Sequence, residues 1–304
     1  MLTLSILSQF KVRLAFKFLR ILFVTLLIIM ISYIDRYRSL TSGSSELHQQ
    51  SSKVMPDGNT RAVLFYHPYP VYSKRGNGSH IYDVDGNDRI DFSFNYTVLI
   101  FGHNHFPVKQ AVQQQLEYGT ALGQPTSLEF DLAQKIIDLV PSAEKVKFAV
   151  TGTEANMNAV RVARAFTGKK KIVVFEGGYH GTSDTLVSQG TALHTEGVPE
   201  EVLANTVVTP YNNLQLLEET LTKNRGEVAA VLMEPLLGTS GAIPPRTDFL
   251  KGIREATSRE DVLLIFDEII TGFRLSPGGA QQLYGVTPDI TTLGKIMGGG
   301  LPLA

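Results

Sequence analysis

Four short stretches of this chain carry residue types that could act together on one small molecule. Lys295 stands in TTLGKIMGGGLP (291–302), between Leu293-Gly294 and Ile296-Met297 and ahead of Gly298, Gly299 and Gly300. A lysine in an apolar setting loses solvation, which frees its amine as a nucleophile near neutral pH. In FDEIITGFR (266–274) an apolar run leads straight into Asp267 and Glu268. An acid buried there needs a cationic partner, and a protonated pyridine nitrogen would be one. Thr151-Gly152-Thr153 brings backbone N–H groups and two hydroxyls to what reads as a helix start, a ready site for a phosphate. FEGGYHG (175–181) delivers Tyr179 and His180 on a glycine-rich loop, where an aromatic could stack on a planar ring. Each stretch also has a plainer reading when taken singly. These are a surface lysine before a flexible loop, solvated strand-end acids, an ordinary threonine N-cap and a packed aromatic. No metal-ligand spacing surrounds His180.

The elements that must position these residues alternate after Pro141. KVKFAV (145–150), KIVVF (171–175), VAAVLMEP (228–235) and VLLIFDEI (262–269) read as strands. Their apolar runs lack polar alternation, so both sheet faces are covered, as in a mixed, mostly parallel α/β sheet. Between the first two, Ala155, Ala159, Val162, Ala163 and Phe166 mark one face of a helix. Upstream, SHIYDVDGNDRIDFS reads as a hairpin turning at Asp85-Gly86-Asn87-Asp88. Helical periodicity follows over 108–118 and 128–139. Residues 39–58 are Ser-rich and polar and read as a linker, so the divisions expected are 1–38, 39–58, 59–140 and 141–304.

The chain has 304 residues, a net charge of -1 and no long basic run, which leaves no electrostatic footprint for nucleic acid. It has no cysteine, which excludes a disulfide framework and any thiolate chemistry. The first 38 residues are hydrophobic. The uncharged run Ile21 to Ile34 is 14 residues, short of the roughly 20 that span a bilayer. Residues 14–34 reach that length if Lys17 and Arg20 snorkel to the interface. This leaves three readings: a membrane anchor, a targeting peptide, or an extension outside the functional product, with a cytoplasmic location expected where there is no anchor.

The order of these motifs resembles the class III pyridoxal-phosphate aminotransferases of fold type I. TGTEAN, GGYHG, FDEIITGFR and TTLGKIMGGG carry the resemblance, which covers about residues 58–304. It implies a large cofactor domain in which Lys295 forms a Schiff base with pyridoxal 5'-phosphate and shuttles protons. It also implies that Asp267 pairs with the ring nitrogen, that Gly152 and Thr153 hold the phosphate, and that Tyr179 stacks on the ring with Ile269 near the other face. Glu234 would belong to the polar shell. Two subgroups look similar, the glutamate-1-semialdehyde aminomutases through YHPYPVY and GVTPDITTLGKIMGGGLP, and the β-amino-acid aminotransferases through GNTRAVLFYHPYP. Arg61 matches the second group's carboxylate-binding arginine. Thr239-Ser240 departs from the aminomutase loop, which favours a transaminase acting on amino and keto substrates. The family works as a homodimer and continues past the position of Ala304 into a smaller C-terminal domain. A non-catalytic, membrane-tethered remnant is the remaining alternative.

Overall fold

The computed structural model describes residues 19–20, 22–23, 30, 32–187, 190–191 and 195–304. They fall into two compact units, one running to Phe92 with Gly102–His105, the other comprising Ser93–Phe101 and Phe106–Ala304.

The first unit holds an antiparallel meander of β1 (Ser73–Asn77), β2 (His80–Asp83) and β3 (Asp88–Ile90). The expected hairpin is β2–β3. Gly86 takes φ +88 at its turn, a left-handed value open to glycine at little cost, and Asp83 Oδ1 accepts from the Asn87 N–H at 2.7 Å. The stretch read as a linker is instead helical, α1 (Ser42–Ser51). Its N-cap Thr41 makes no side-chain cap bond. Asp85 of the hairpin turn does so from a distance, accepting from Gly43 N at 2.5 Å, Ser44 N at 3.1 Å and Ser44 Oγ at 2.9 Å. A tertiary cap of this kind overrides the poor helix propensity of a Ser-rich run.

In the second unit, α2 (Phe106–Leu116) and α3 (Ser127–Leu139) lie where the periodicity puts them. They belong to the same unit as the sheet, so no boundary between compact units falls at 140. The sheet has five strands in the order β5-β4-β6-β7-β8, all parallel: β4 (Lys171–Phe175), β5 (Thr206–Thr209), β6 (Val228–Met233), β7 (Leu263–Asp267) and β8 (Ile290–Thr292). Successive side chains point to opposite faces, and both faces are dry. Ile172, Val174, Ala230, Leu232 and Ile265 pack with Ala159, Val160 and Ala163 of α4 (Gly152–Thr167). Val173, Phe175, Val231, Met233, Leu264 and Phe266 face α5 (Leu214–Lys223) and α6 (Phe249–Arg259). Two expectations are corrected here. KVKFAV forms no strand; its Ala149 exchanges backbone hydrogen bonds with Ala304 at 2.7 and 2.8 Å, and residues 145–149 and β8 both line a cavity of about 300 Å3. On α4 the buried stripe is Asn156, Ala159, Val160 and Ala163, whereas Val162 and Phe166 are 57% and 80% exposed.

The hydrophobic N-terminal segment lies mostly outside the described residues. Among those described, no helix is long and apolar enough to cross a membrane, so the anchoring expectation for residues 14–34 gains no support.

Candidate functional site

Strand order fixes where a ligand can sit. β5 lies on one side of β4, and β6, β7 and β8 lie on the other, so the direction of winding reverses between β4 and β6. Open α/β sheets bind ligands beyond the carboxyl ends of the strands at that reversal. β4 delivers the Glu176–Gly181 loop there, β6 delivers Glu234, β7 delivers Asp267, and β8 leads through Leu293-Gly294 to Lys295.

Asp267 is 3% exposed and takes three donors. Asn156 Nδ2 donates to its Oδ2 at 2.7 Å, His180 Nδ1 lies 2.8 Å from the same oxygen, and the Ile269 N–H donates to Oδ1 at 3.1 Å. The neighbouring Glu268 is wholly buried but spent on structure. It accepts from Thr271 Oγ1, the Ala280 and Gln281 N–H groups and Gln281 Nε2 at 2.5–3.1 Å. Glu234 accepts from Tyr179 N at 3.0 Å and Gly238 N at 2.9 Å, so it joins the loops after β4 and β6. Burial pushes its carboxyl above the ordinary range and negative Asp267 adds to the rise, against the lowering effect of the Tyr179 N–H, His180 and the Gly238 N–H.

The start of α4 is built as the sequence suggests. Thr151 is its N-cap, with Oγ1 accepting from Glu154 N at 3.2 Å. That leaves the N–H groups of Gly152 and Thr153 without helical acceptors, the arrangement that attracts an anion. Thr153 Oγ1 accepts from Thr182 N at 3.3 Å, which brings the glycine-rich loop against the helix start. The approach is close, since Gly181 has φ +90 and a methyl there would meet Thr153 Oγ1 at 2.3 Å. Ile269 lies between Gly152 and Gly294, where methyl groups would come within 3.1 and 3.0 Å of its Cδ1. Tyr179 is half-buried, as is Lys295, which opens a 3-10 turn (Lys295–Gly298) at φ +46. A non-glycine residue held at positive φ costs about 1–2 kcal/mol, strain of a kind that clusters at functional sites.

Six expected residues thus fall into one unit: Gly152, Thr153, Tyr179, Glu234, Asp267 and Lys295. Arg61 belongs to the other unit, where it is exposed and its N–H donates to Asn59 Oδ1 at 2.8 Å. Two residues escaped the sequence reading. Asn156 and Thr292 are 1% and 5% exposed, and Thr292 Oγ1 donates to Asn156 Oδ1 at 2.7 Å. One signal was available for Asn156, a lone amide within the stripe of α4 that otherwise reads Ala159, Val160, Ala163.

A parallel sheet wound both ways, with a buried acid, a helix-start anion site and a strained lysine at one edge, defines a cofactor-binding α/β enzyme fold. The family model "Aminotransferase class-III" matches residues 65–304, and the chain belongs to that family. A glutamate-1-semialdehyde 2,1-aminomutase from Desulfotalea psychrophila is 48% identical over 270 residues, 86% of this chain and 63% of that protein. A solved transaminase with PLP bound is 38% identical, with a TM-score of 0.83 over 86% of this chain and 63% of its own. A β-phenylalanine aminotransferase from Variovorax paradoxus is 36% identical, with a TM-score of 0.82 over 90% of this chain and 62% of its own. The chain therefore spans less than two thirds of the length of these relatives.

Proposed function

We propose that the protein is a pyridoxal-phosphate-dependent transaminase that moves an amino group between an amino acid or amine and a keto or aldehyde acceptor. Asp267 is the observation behind this reading. A carboxylate at 3% exposure, oriented by Asn156, His180 and the Ile269 N–H, is suited to a cationic ring nitrogen in the ligand. The surroundings suit a flat, phosphate-bearing ring, because the start of α4 offers N–H groups without helical acceptors and Gly152, Gly181 and Gly294 let Thr153 and Ile269 pack close, where a methyl would clash.

When bound, the cofactor supplies an electron sink for carbanion chemistry. The chain's own residues supply the rest. Gly152, Thr153 and the α4 N-terminus take the phosphate. Tyr179 and Ile269 flank the ring, and Asp267 keeps its nitrogen charged. Lys295 Nζ is the nucleophile that tethers the cofactor and the base that carries the proton. Glu234 holds the Tyr179 loop, and Arg61 takes the substrate's carboxylate in a bidentate pair. A second copy of the chain is the expected partner.

Purification with pyridoxal phosphate should give a visible absorption band that Lys295→Ala abolishes. A wild-type chain without the band overturns this reading. Arg61→Ala should raise KM for amino acids while leaving uncharged amines unchanged; equal effects on both would sink that assignment. The aminomutase reading is favoured by the 48% identity to a named aminomutase, the transaminase reading by Thr239-Ser240. An external keto acceptor decides between them, since a mutase isomerises its substrate without net transfer.

A further inference from the structure

Asn156 bonds the acid, the His180 loop and β8, the strand that leads to Lys295. It lies on α4 four residues after Gly152, so the helix that presents the phosphate site also carries it. Both of its amide hydrogens are used, Nδ2 donating to Asp267 Oδ2 at 2.7 Å and to the His180 carbonyl at 3.1 Å. Its Oδ1 accepts from Thr292 Oγ1 at 2.7 Å. This set admits only one orientation of the amide. A flip would face Oδ1 toward two acceptors, and an amide oxygen cannot donate. Thr292 must therefore be the donor in its bond, and that hydroxyl is fixed as well.

The other end of the chain of bonds is equally determined. His180 Nδ1 faces the same Asp267 oxygen at 2.8 Å, so Nδ1 carries the proton. Nε2 is buried and, among the described residues, has no hydrogen-bond partner. Thr292 sits opposite Asp267 in the β7–β8 register, accepts from the Glu268 N–H at 2.9 Å and precedes Lys295 by three residues.

We propose that Asn156, locked by Thr292, is a positioning residue that sets the direction and hydrogen-bonding state of Asp267 toward the cofactor's ring nitrogen. The inference rests on the cofactor reading above. Removing the amide takes one of two donors from Oδ2 and frees the acid to turn. It also releases the His180 loop from α4.

The test uses the full 304-residue chain with pyridoxal phosphate as the probe. Wild type, Asn156→Ala, Thr292→Val and Thr292→Ser are titrated for cofactor affinity and for the pH midpoint of the visible band. Asn156→Ala should weaken cofactor binding about 10- to 100-fold, the loss of one charge-assisted hydrogen bond, and should shift the midpoint. Thr292→Val should move both in the same direction by a smaller factor, and Thr292→Ser, which keeps the hydroxyl, should restore them. A purely structural role would lower thermal stability without moving the midpoint. Should Asn156→Ala fail to fold, the two threonine variants still decide. Wild-type affinity and midpoint in Thr292→Val overturn the inference, as does failure of Thr292→Ser to restore. A wild-type chain with no band overturns the cofactor reading itself and the inference with it, a result distinct from a band that the variants leave unchanged.

Discussion

Glu234 accepts two backbone N–H groups at 3% exposure, yet burial and, next, the negative Asp267 hold its carboxyl above the ordinary value of 4.5. The native state therefore binds this proton more tightly than the unfolded chain does. Where more protons are bound natively, stability falls as pH rises. The favourable contribution of protonated Glu234 is complete below the unfolded pKa and is lost as pH climbs through the raised one. Glu234→Gln cannot titrate, so its stability should decline less than that of wild type as pH rises from the unfolded pKa through the raised one. Urea unfolding of the cofactor-free protein at a series of pH values measures the difference, and parallel curves for the two proteins would refute it. At this scale much of the site was legible. Asp267 ends the apolar run of β7, Gly152 and Thr153 follow a threonine N-cap, and Tyr179 lies on the glycine-rich loop after β4, positions that local sequence marks. Asn156 and Thr292 were not, because an amide on a helix and a hydroxyl on a strand are ordinary until the fold stacks them beside an acid.

The lesson differs for elements. β4, β6 and β7 announce themselves as apolar runs, and α3 carries its own capping box at Thr126 and Glu129. α1 does not, since SGSSELHQQS has neither an apolar stripe nor a local cap. Its helix depends on Asp85, whose partners lie over 40 residues away. Local pattern cannot report such a bond. KVKFAV is the converse case: it has strand composition, but a strand forms only against a neighbour, and its one backbone pair is Ala149 with Ala304. Asp85→Ala should destabilise the protein by about 1 kcal/mol, the usual cost of a lost N-cap, while Asp85→Asn should retain most of that stability. Chemical denaturation together with helix content by circular dichroism checks this. An unchanged midpoint in Asp85→Ala would show that α1 stands without the tertiary cap.

For the whole molecule, the sheet decides which apolar residues hold the structure and which do not. β6 sits between β4 and β7 and is buried along all of Val228–Met233, so neither of its faces can relax toward solvent. Leu232 packs there against the small side of α4, among Ala159, Val160 and Ala163. Truncating it opens a cavity that parallel strands locked by their ladders close poorly, and Leu232→Ala should cost about 2–5 kcal/mol. Phe166 is the larger residue, and the apolar periodicity of α4 assigns it to the buried side. The stripe that meets the sheet begins instead at Asn156, whose amide is drawn inward by Asp267 and Thr292. With that stripe inward, α4 is rotated so that Val162 and Phe166 face outward at 57% and 80% exposure. Phe166→Ser should therefore change monomer stability by no more than about 0.5 kcal/mol. The two variants compared by denaturation at low protein concentration test the rotation directly. A cost for Phe166→Ser approaching that of Leu232→Ala would mean that the hydrophobic pattern, and not the buried polar network, sets the orientation of α4.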